Sequence, residues 1–198
     1  MLAKKAKELD LTKYESVLSR IPPEFAEYVR GAFAYRKGEF DTAVSHWRAL
    51  LALSPEQRKY RTLWATFMIG RVFSDKEPIA AIEYFSQCRK MVAEGVADPL
   101  NLAEDSLGWL AQAETRTKRY VDAIHHYAEL AKNPDREETG ILSLTTVCRL
   151  ALNEDVIDPA LAKDGLSSQV LTAAIACQYG RIETWAKCIE AAQVQPPI

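Results

Sequence analysis

The stretch EYVRGAFAYRKGEFDTAVSHWRALLALSP, residues 27–55, holds two apolar runs of helical period separated by Gly38 and closed by Pro55. A similar order of small, aromatic and apolar residues returns in LGWLAQAETRTKRYVDAIHHYAELAKNP, residues 107–134. Apolar residues three and four positions apart favour amphipathic helices, and glycine and proline mark helix ends. The stretch therefore predicts a pair of antiparallel helices with a short turn, and its recurrence predicts that such pairs repeat.

Helix signals also cover the rest of the chain. No segment alternates β-branched and polar residues over the length of a strand, so the predicted fold class is all-α. Pro78, Pro99 and Pro159 each follow an acidic residue, an arrangement typical of a capped helix start. The predicted helices cover about 22–37, 39–53, 56–74, 77–94, 98–117, 119–132, 137–153, 158–163, 166–179 and 181–193.

Three glycines mark the repeat, because Gly31, Gly70 and Gly108 are spaced by 39 and 38 residues. The residues around them resemble the tetratricopeptide repeat, a helix pair with a period of about 34 residues. The matching positions are Tyr28, Gly31, Ala32, Tyr35, Phe40, Ala43, Trp47, Leu50 and Pro55 in the first unit, Ile69, Gly70, Phe73, Ala81, Phe85 and Cys88 in the second, and Leu107, Gly108, Ala111, Tyr120, Ala123, Tyr127, Leu130 and Pro134 in the third.

This resemblance implies an antiparallel helix-pair solenoid with a right-handed superhelix, built of about three divergent repeats over residues 24–134. Thr66 and Glu104 stand where the family has an aromatic residue, and the period is several residues longer than the family's. Residues 135–198 lack the motif and are expected to form divergent helical repeats or a cap, while residues 1–21 are expected to form an N-terminal helix. We expect all of these to belong to one domain, with a fraying tail after residue 193.

Charge excludes one class of partner. The net charge of the 198 residues is −2 at pH 7, which does not predict the basic face that nucleic-acid binding requires. A solvated N-terminal helix face accounts for the basic cluster Lys4, Lys5 and Lys7. No run reaches the roughly 20 apolar residues that cross a bilayer, so no membrane insertion is expected.

The cysteines and the N-terminus bear on the compartment. Cys88, Cys148, Cys177 and Cys188 form no Cys-x-x-Cys pair and lie among apolar helix residues, so we expect buried free thiols and a reducing compartment. The first residues do not resemble a signal peptide. The default expectation is a cytoplasmic protein, or an exported one if this sequence is a fragment of a longer chain.

Motifs for catalysis are missing from the sequence. It has no phosphate-binding glycine loop, dinucleotide fingerprint, nucleophile elbow or zinc-protease helix motif. Of its three histidines, His125 and His126 are adjacent on a helix, so their side chains diverge by about 100° and cannot share one metal ion. The sequence therefore predicts a protein that is not an enzyme and that uses no cofactor or metal.

The resemblance also implies a concave groove lined by the first helix of each repeat. The residues expected to face it are Phe33, Arg36, Trp64, Phe67, Arg71, Asp105, Trp109 and Gln112. Aromatic and arginine side chains dominate peptide-binding hot spots, so the predicted function is an interaction scaffold that binds an extended peptide or a partner helix. The alternative is a non-catalytic accessory domain that docks within a larger chain.

Overall fold

The computed structural model describes residues 10–177 and 180–194, and over these residues the only regular elements are helices. The prediction of an all-α fold is therefore confirmed. The described α-helices are α1 (Glu15–Leu18), α2 (Pro23–Lys37), α3 (Phe40–Leu51), α4 (Thr62–Phe73), α5 (Pro78–Ala93), α6 (Leu102–Arg116), α7 (Tyr120–Leu130), α8 (Glu137–Leu152), α9 (Pro159–Lys163), α10 (Gly165–Ala176) and α11 (Ile182–Val194). Short 3₁₀ helices cover Leu11–Tyr14 and Pro55–Gln57.

Two helices, α4 and α6, begin later than predicted. Before α4, Ser54 and Gln57 form a reciprocal capping box at the start of a single 3₁₀ turn, and this turn ends at Arg58, where φ is −126° and ψ is 43°. Before α6, the carboxylate of Asp98 accepts hydrogen bonds from the amides of Leu102 and Ala103, each at 2.8 Å. Asp98 therefore caps a helix that begins at Leu102, and Pro99 lies in the preceding turn.

The N-terminal prediction is tested only in part. Asp10 accepts a hydrogen bond from the amide of Thr12 and opens the 3₁₀ helix that leads into α1. The lysine cluster at residues 4–7 and the tail at residues 195–198 lie outside the described residues.

The chain divides into two compact units, Met1–Ser106 and Leu107–Ile198. In the first unit, α2 and α3 form an antiparallel pair, because Glu27 contacts His46 at 2.7 Å near one end and the rings of Tyr35 and Phe40 lie 5.5 Å apart at the other. The helices α4 and α5 form a second pair. This pair packs against the first through contacts between α4 and α3. The packing of such pairs is consistent with a helical solenoid.

Trp47 lies at the centre of the core of the first unit. Its side chain is fully buried, as predicted, and its Nε1 donates to the carbonyl of Tyr28 on α2 at 3.3 Å. Ala65 and Ile69 of α4 belong to the same buried cluster. The cluster that contains Trp47 thus joins three successive helices, and removal of this ring would leave a cavity in the core that they share.

The second unit has its own core around α7, α8, α9, α10 and α11. Its largest fully buried side chains are Leu107, Ile124, Val147, Leu152, Leu161 and Leu171. Within this unit, α6 and α7 pack antiparallel, since Glu114 Oε2 lies 2.7 Å from His126 Nδ1 and Gly108 lies against Leu130. Tyr127 is 8% exposed, as predicted for a residue between these helices.

Candidate binding pocket

A pocket of about 340 Å³ lies in the first unit, at the N-terminal ends of α2 and α4. Its walls combine aromatic, aliphatic and cationic side chains. The lining residues are Phe25, Lys59, Tyr60, Arg61, Leu63, Trp64, Val96, Ala97 and Pro99. Tyr60 is 68% exposed and stacks on Phe25 with ring centroids 6.1 Å apart, so part of this aromatic surface faces solvent.

Arg61 forms the positively charged wall of the pocket. Its guanidinium carbon lies 3.8 Å from the ring centroid of Trp64, 5.1 Å from that of Phe25 and 5.6 Å from that of Tyr28. Cation–π contacts of this kind favour a fixed position of the guanidinium group. Within the described residues, no carboxylate pairs with this guanidinium and no acceptor receives a hydrogen bond from it.

Glu24 holds the backbone beneath the pocket. The side chain is buried, and its Oε2 accepts hydrogen bonds from the amides of Tyr60 and Arg61 at 2.9 and 3.0 Å. A carboxylate on α2 thus fixes the segment that leads into α4. The edge-to-face contact between Tyr28 and Trp64, with centroids 5.7 Å apart, holds the same two helices together one turn further on.

The first unit contains six of the residues predicted to line the groove, and they have different environments. Trp64 lines the pocket. The prediction that Phe67 faces the groove is wrong, because Phe67 is only 6% exposed and packs edge-to-face on Phe85 in the core. Phe33 lies under the ammonium group of Lys37 at 5.0 Å. Arg36 is exposed near the end of α2, and Arg71 and Asp105 are half-buried.

The second unit contains the other two, Trp109 and Gln112, both half-buried on α6. Gln112 lines a separate pocket of about 370 Å³ between α6, α7 and α8. This pocket has a wall that mixes polar and apolar side chains. It is lined by Gln112, Thr115, Arg116, Tyr127, Leu142, Ser143, Thr146 and Val147.

Sequence reasoning missed most of the pocket in the first unit. Phe25, Lys59, Tyr60 and Arg61 were not among the predicted site residues, because a helix over 56–74 would have spread the last three around a helix surface. The local signal there, the capping box of Ser54 and Gln57, marks a helix start at Pro55 and not the break before α4. Glu24 directly follows the proline that begins α2, and nothing in the sequence indicated that its side chain would be buried.

The histidines and cysteines do not form a common site. His125 contacts Asp164 at 2.9 Å, whereas His126 contacts Glu114, so the two imidazoles diverge as predicted. No group of three or more metal-ligating side chains occurs among the described residues. Cys177 corrects the prediction of four buried thiols, because it is exposed at the end of α10, whereas the other three cysteines are buried.

Comparisons with known proteins provide no family assignment. No family model matches the chain, and neither a curated protein nor a solved structure matches it. Across the part of the chain that the structure describes, no helix combines the length and the apolar character needed to cross a bilayer.

Proposed function

We propose that this chain is a non-catalytic interaction scaffold of the tetratricopeptide type, a right-handed array of helix pairs that binds an extended segment of another polypeptide. The observation that carries the proposal is the pocket at Trp64. It combines partly exposed aromatic rings with a cation at the junction of two successive first helices, α2 and α4. Aromatic and arginine side chains in a concave site are the usual anchors of peptide recognition.

The size of the pocket indicates how a segment would bind. A volume of about 340 Å³ accommodates one or two side chains and leaves the peptide backbone outside. Leu63, Val96 and Pro99 offer apolar contacts, so the anchoring side chain is apolar or aromatic. Residues on either side of it would then lie across the exposed ring of Tyr60.

Fewer residues than the sequence predicted are now proposed to contact the bound segment. Phe67 is withdrawn as an anchor because it is part of the core. Trp64 remains the principal anchor, and Arg36 and Arg71 remain candidates for contacts further along the first unit. Trp109 and Gln112 are candidates for a contact made by the second unit.

A peptide-library selection on the whole immobilised chain tests this function. The wild-type chain should enrich a consensus segment with at least one large apolar residue. The same selection on Trp64→Ala should lose that consensus, while Ile79→Ala should keep it, because Ile79 is a 68% exposed residue on α5 that does not line the pocket. A wild-type chain that enriches no consensus would refute the proposal and favour the accessory-domain alternative, as would a consensus that survives Trp64→Ala.

A further inference from the structure

The guanidinium of Arg61 carries an inference about the ligand, and it rests on the proposed function. We propose that the pocket recognises an internal acidic residue, Asp or Glu, next to the apolar anchor of the bound segment. The guanidinium is stacked at 3.8 Å on Trp64 and has no carboxylate or other hydrogen-bond acceptor among the described residues. A cation held this way offers its N–H groups to a ligand at little ordering cost.

The surrounding charges favour an anionic ligand. Lys59 lines the same pocket and is exposed, so it adds a second positive charge at the wall. Glu24 and Asp98 lie on neighbouring segments, and each carboxylate accepts hydrogen bonds from two backbone amides, Glu24 from Tyr60 and Arg61 and Asp98 from Leu102 and Ala103. Neither is paired with Arg61, so a ligand carboxylate would meet two cations in a partly desolvated site.

The hydrogen-bonding groups also distinguish a side-chain carboxylate from a chain terminus. A terminal carboxylate is commonly captured by clustered backbone N–H groups, whereas acidic motifs are recognised by arginine side chains. The amides of Tyr60 and Arg61 already donate to Glu24. The donors that this part of the pocket offers to a ligand are therefore the side chains of Arg61 and Lys59. A carboxylate on a flexible stem can reach past the rings to Arg61 from a backbone that lies across the mouth of the pocket.

Three synthetic peptides test this inference on the whole ¹⁵N-labelled chain. The probes are the doubly capped peptide acetyl-GLEFEG-amide, its glutamine counterpart acetyl-GLQFQG-amide, and the glutamine peptide with a free C-terminal carboxylate. Each is titrated to millimolar concentration, and binding is read from the indole N–H signal of Trp64. The acidic peptide should give a saturable shift, and both glutamine peptides should bind at least about tenfold more weakly.

Matched arginine variants test whether Arg61 is responsible for the preference for the acidic peptide. Arg61→Gln should weaken binding of the acidic peptide at least about tenfold, whereas Arg149→Gln should leave it unchanged, because Arg149 is exposed on α8 in the second unit and does not line the pocket. Circular dichroism of each variant checks that its helical content is retained. Arg61→Lys, which keeps the charge but loses the planar fork, should give an intermediate affinity.

Each contrary result has a distinct meaning. Equal binding of the acidic peptide and the capped glutamine peptide would overturn the inference and leave peptide binding itself intact. Binding of the free-acid glutamine peptide alone would show that the pocket takes a chain terminus instead. If no peptide shifts the Trp64 signal, the inference fails, and the library selection then decides the proposed function by itself.

Discussion

The indole of Trp47 lies directly over Gly31, so close that a Cβ at position 31 would be 2.4 Å from its Nε1. The ring of Phe85 has the same relationship to Gly70, where an added Cβ would be 2.8 Å from its Cε1. Both glycines are on the first helix of a pair and both rings on the second. The absence of a side chain at these two positions is what lets each helix pair close around its aromatic residue.

This relationship predicts the effect of Gly31→Ala. Alanine is the better helix former by about 1 kcal/mol, yet the clash with a fully buried indole should destabilise the protein by about 1–3 kcal/mol. Gly108→Ala is the matched control, because its Cβ would meet Leu130 at 3.7 Å, an ordinary contact. Urea unfolding followed by circular dichroism should show a loss for the first variant and none for the second. Equal stability of Gly31→Ala and the wild type would contradict the packing.

Truncation of the Trp47 or Phe85 side chain also tests the packing of these helix pairs. Trp47 is fully buried, its Nε1 donates to the carbonyl of Tyr28 on α2, and its cluster also includes residues of α4, so Trp47→Ala should cost about 3–5 kcal/mol. Phe85 is buried to the same extent in the second helix pair, and Phe85→Ala should give a loss in the same range. The measurement is again urea unfolding. A loss below about 1 kcal/mol for Trp47→Ala would mean that the ring is not in a core.

The helix pairs were predictable because their signals are local. Gly38 ends α2 with a positive φ of 79°, and the apolar period on either side of it identifies two amphipathic helices. The burial of Trp47 followed from the same pattern. The starts of α4 and α6 were predicted too early. The turn that opens at Pro55 ends at Arg58, and Asp98 binds amides four and five residues further along the chain. Proline position alone reveals neither of these.

The cysteines should differ sharply in reactivity. Cys177 is exposed, whereas Cys88 and Cys148 are buried and burial raises the pKa of both thiols to about 12. Cys188 is also buried, and burial raises its pKa too. Because the thiolate is the reactive form, a disulfide reagent at pH 8 should label one thiol per native chain quickly and all four in denaturant.

Cys177→Ser is the control for this labelling experiment, since it should abolish the fast phase and leave the slow phase unchanged. Raising the pH from 7 to 9 should not create a second fast phase, because thiols with a pKa near 12 remain protonated over that range. Rapid modification of Cys88 in the native chain would show that its helix pair does not pack as described.

The buried carboxylate of Glu24 should contribute to the stability of the fold. Its carboxylate is buried and binds the amides of Tyr60 and Arg61, so Glu24→Ala should cost about 2–3 kcal/mol by leaving both amides without their acceptor. Glu24→Gln keeps a carbonyl oxygen in the same position and should lose less. Thermal unfolding of the two variants gives the comparison, and equal losses would show that the hydrogen bonds contribute little.

The pocket was less predictable than the helices because it depends on contacts between residues far apart in the chain. Glu24 and Tyr60 are 36 residues apart, as are Tyr28 and Trp64. Only the packing of α2 beside α4 brings them together. The resemblance did identify Trp64 by its position on the first helix of the second repeat, but the same transfer by position assigned Phe67 to the groove although it packs on Phe85.

Photo-crosslinking tests most directly whether the pocket at Trp64 is where a polypeptide binds. The consensus peptide from the library selection, carrying a benzophenone beside its apolar anchor, is irradiated with the whole chain, and mass spectrometry maps the adducts. If the segment binds in this pocket, adducts should form on pocket residues, chiefly Phe25, Tyr60, Trp64, Val96 and Pro99, and should be lost with excess unlabelled peptide. Competable adducts confined to other parts of the chain would contradict it.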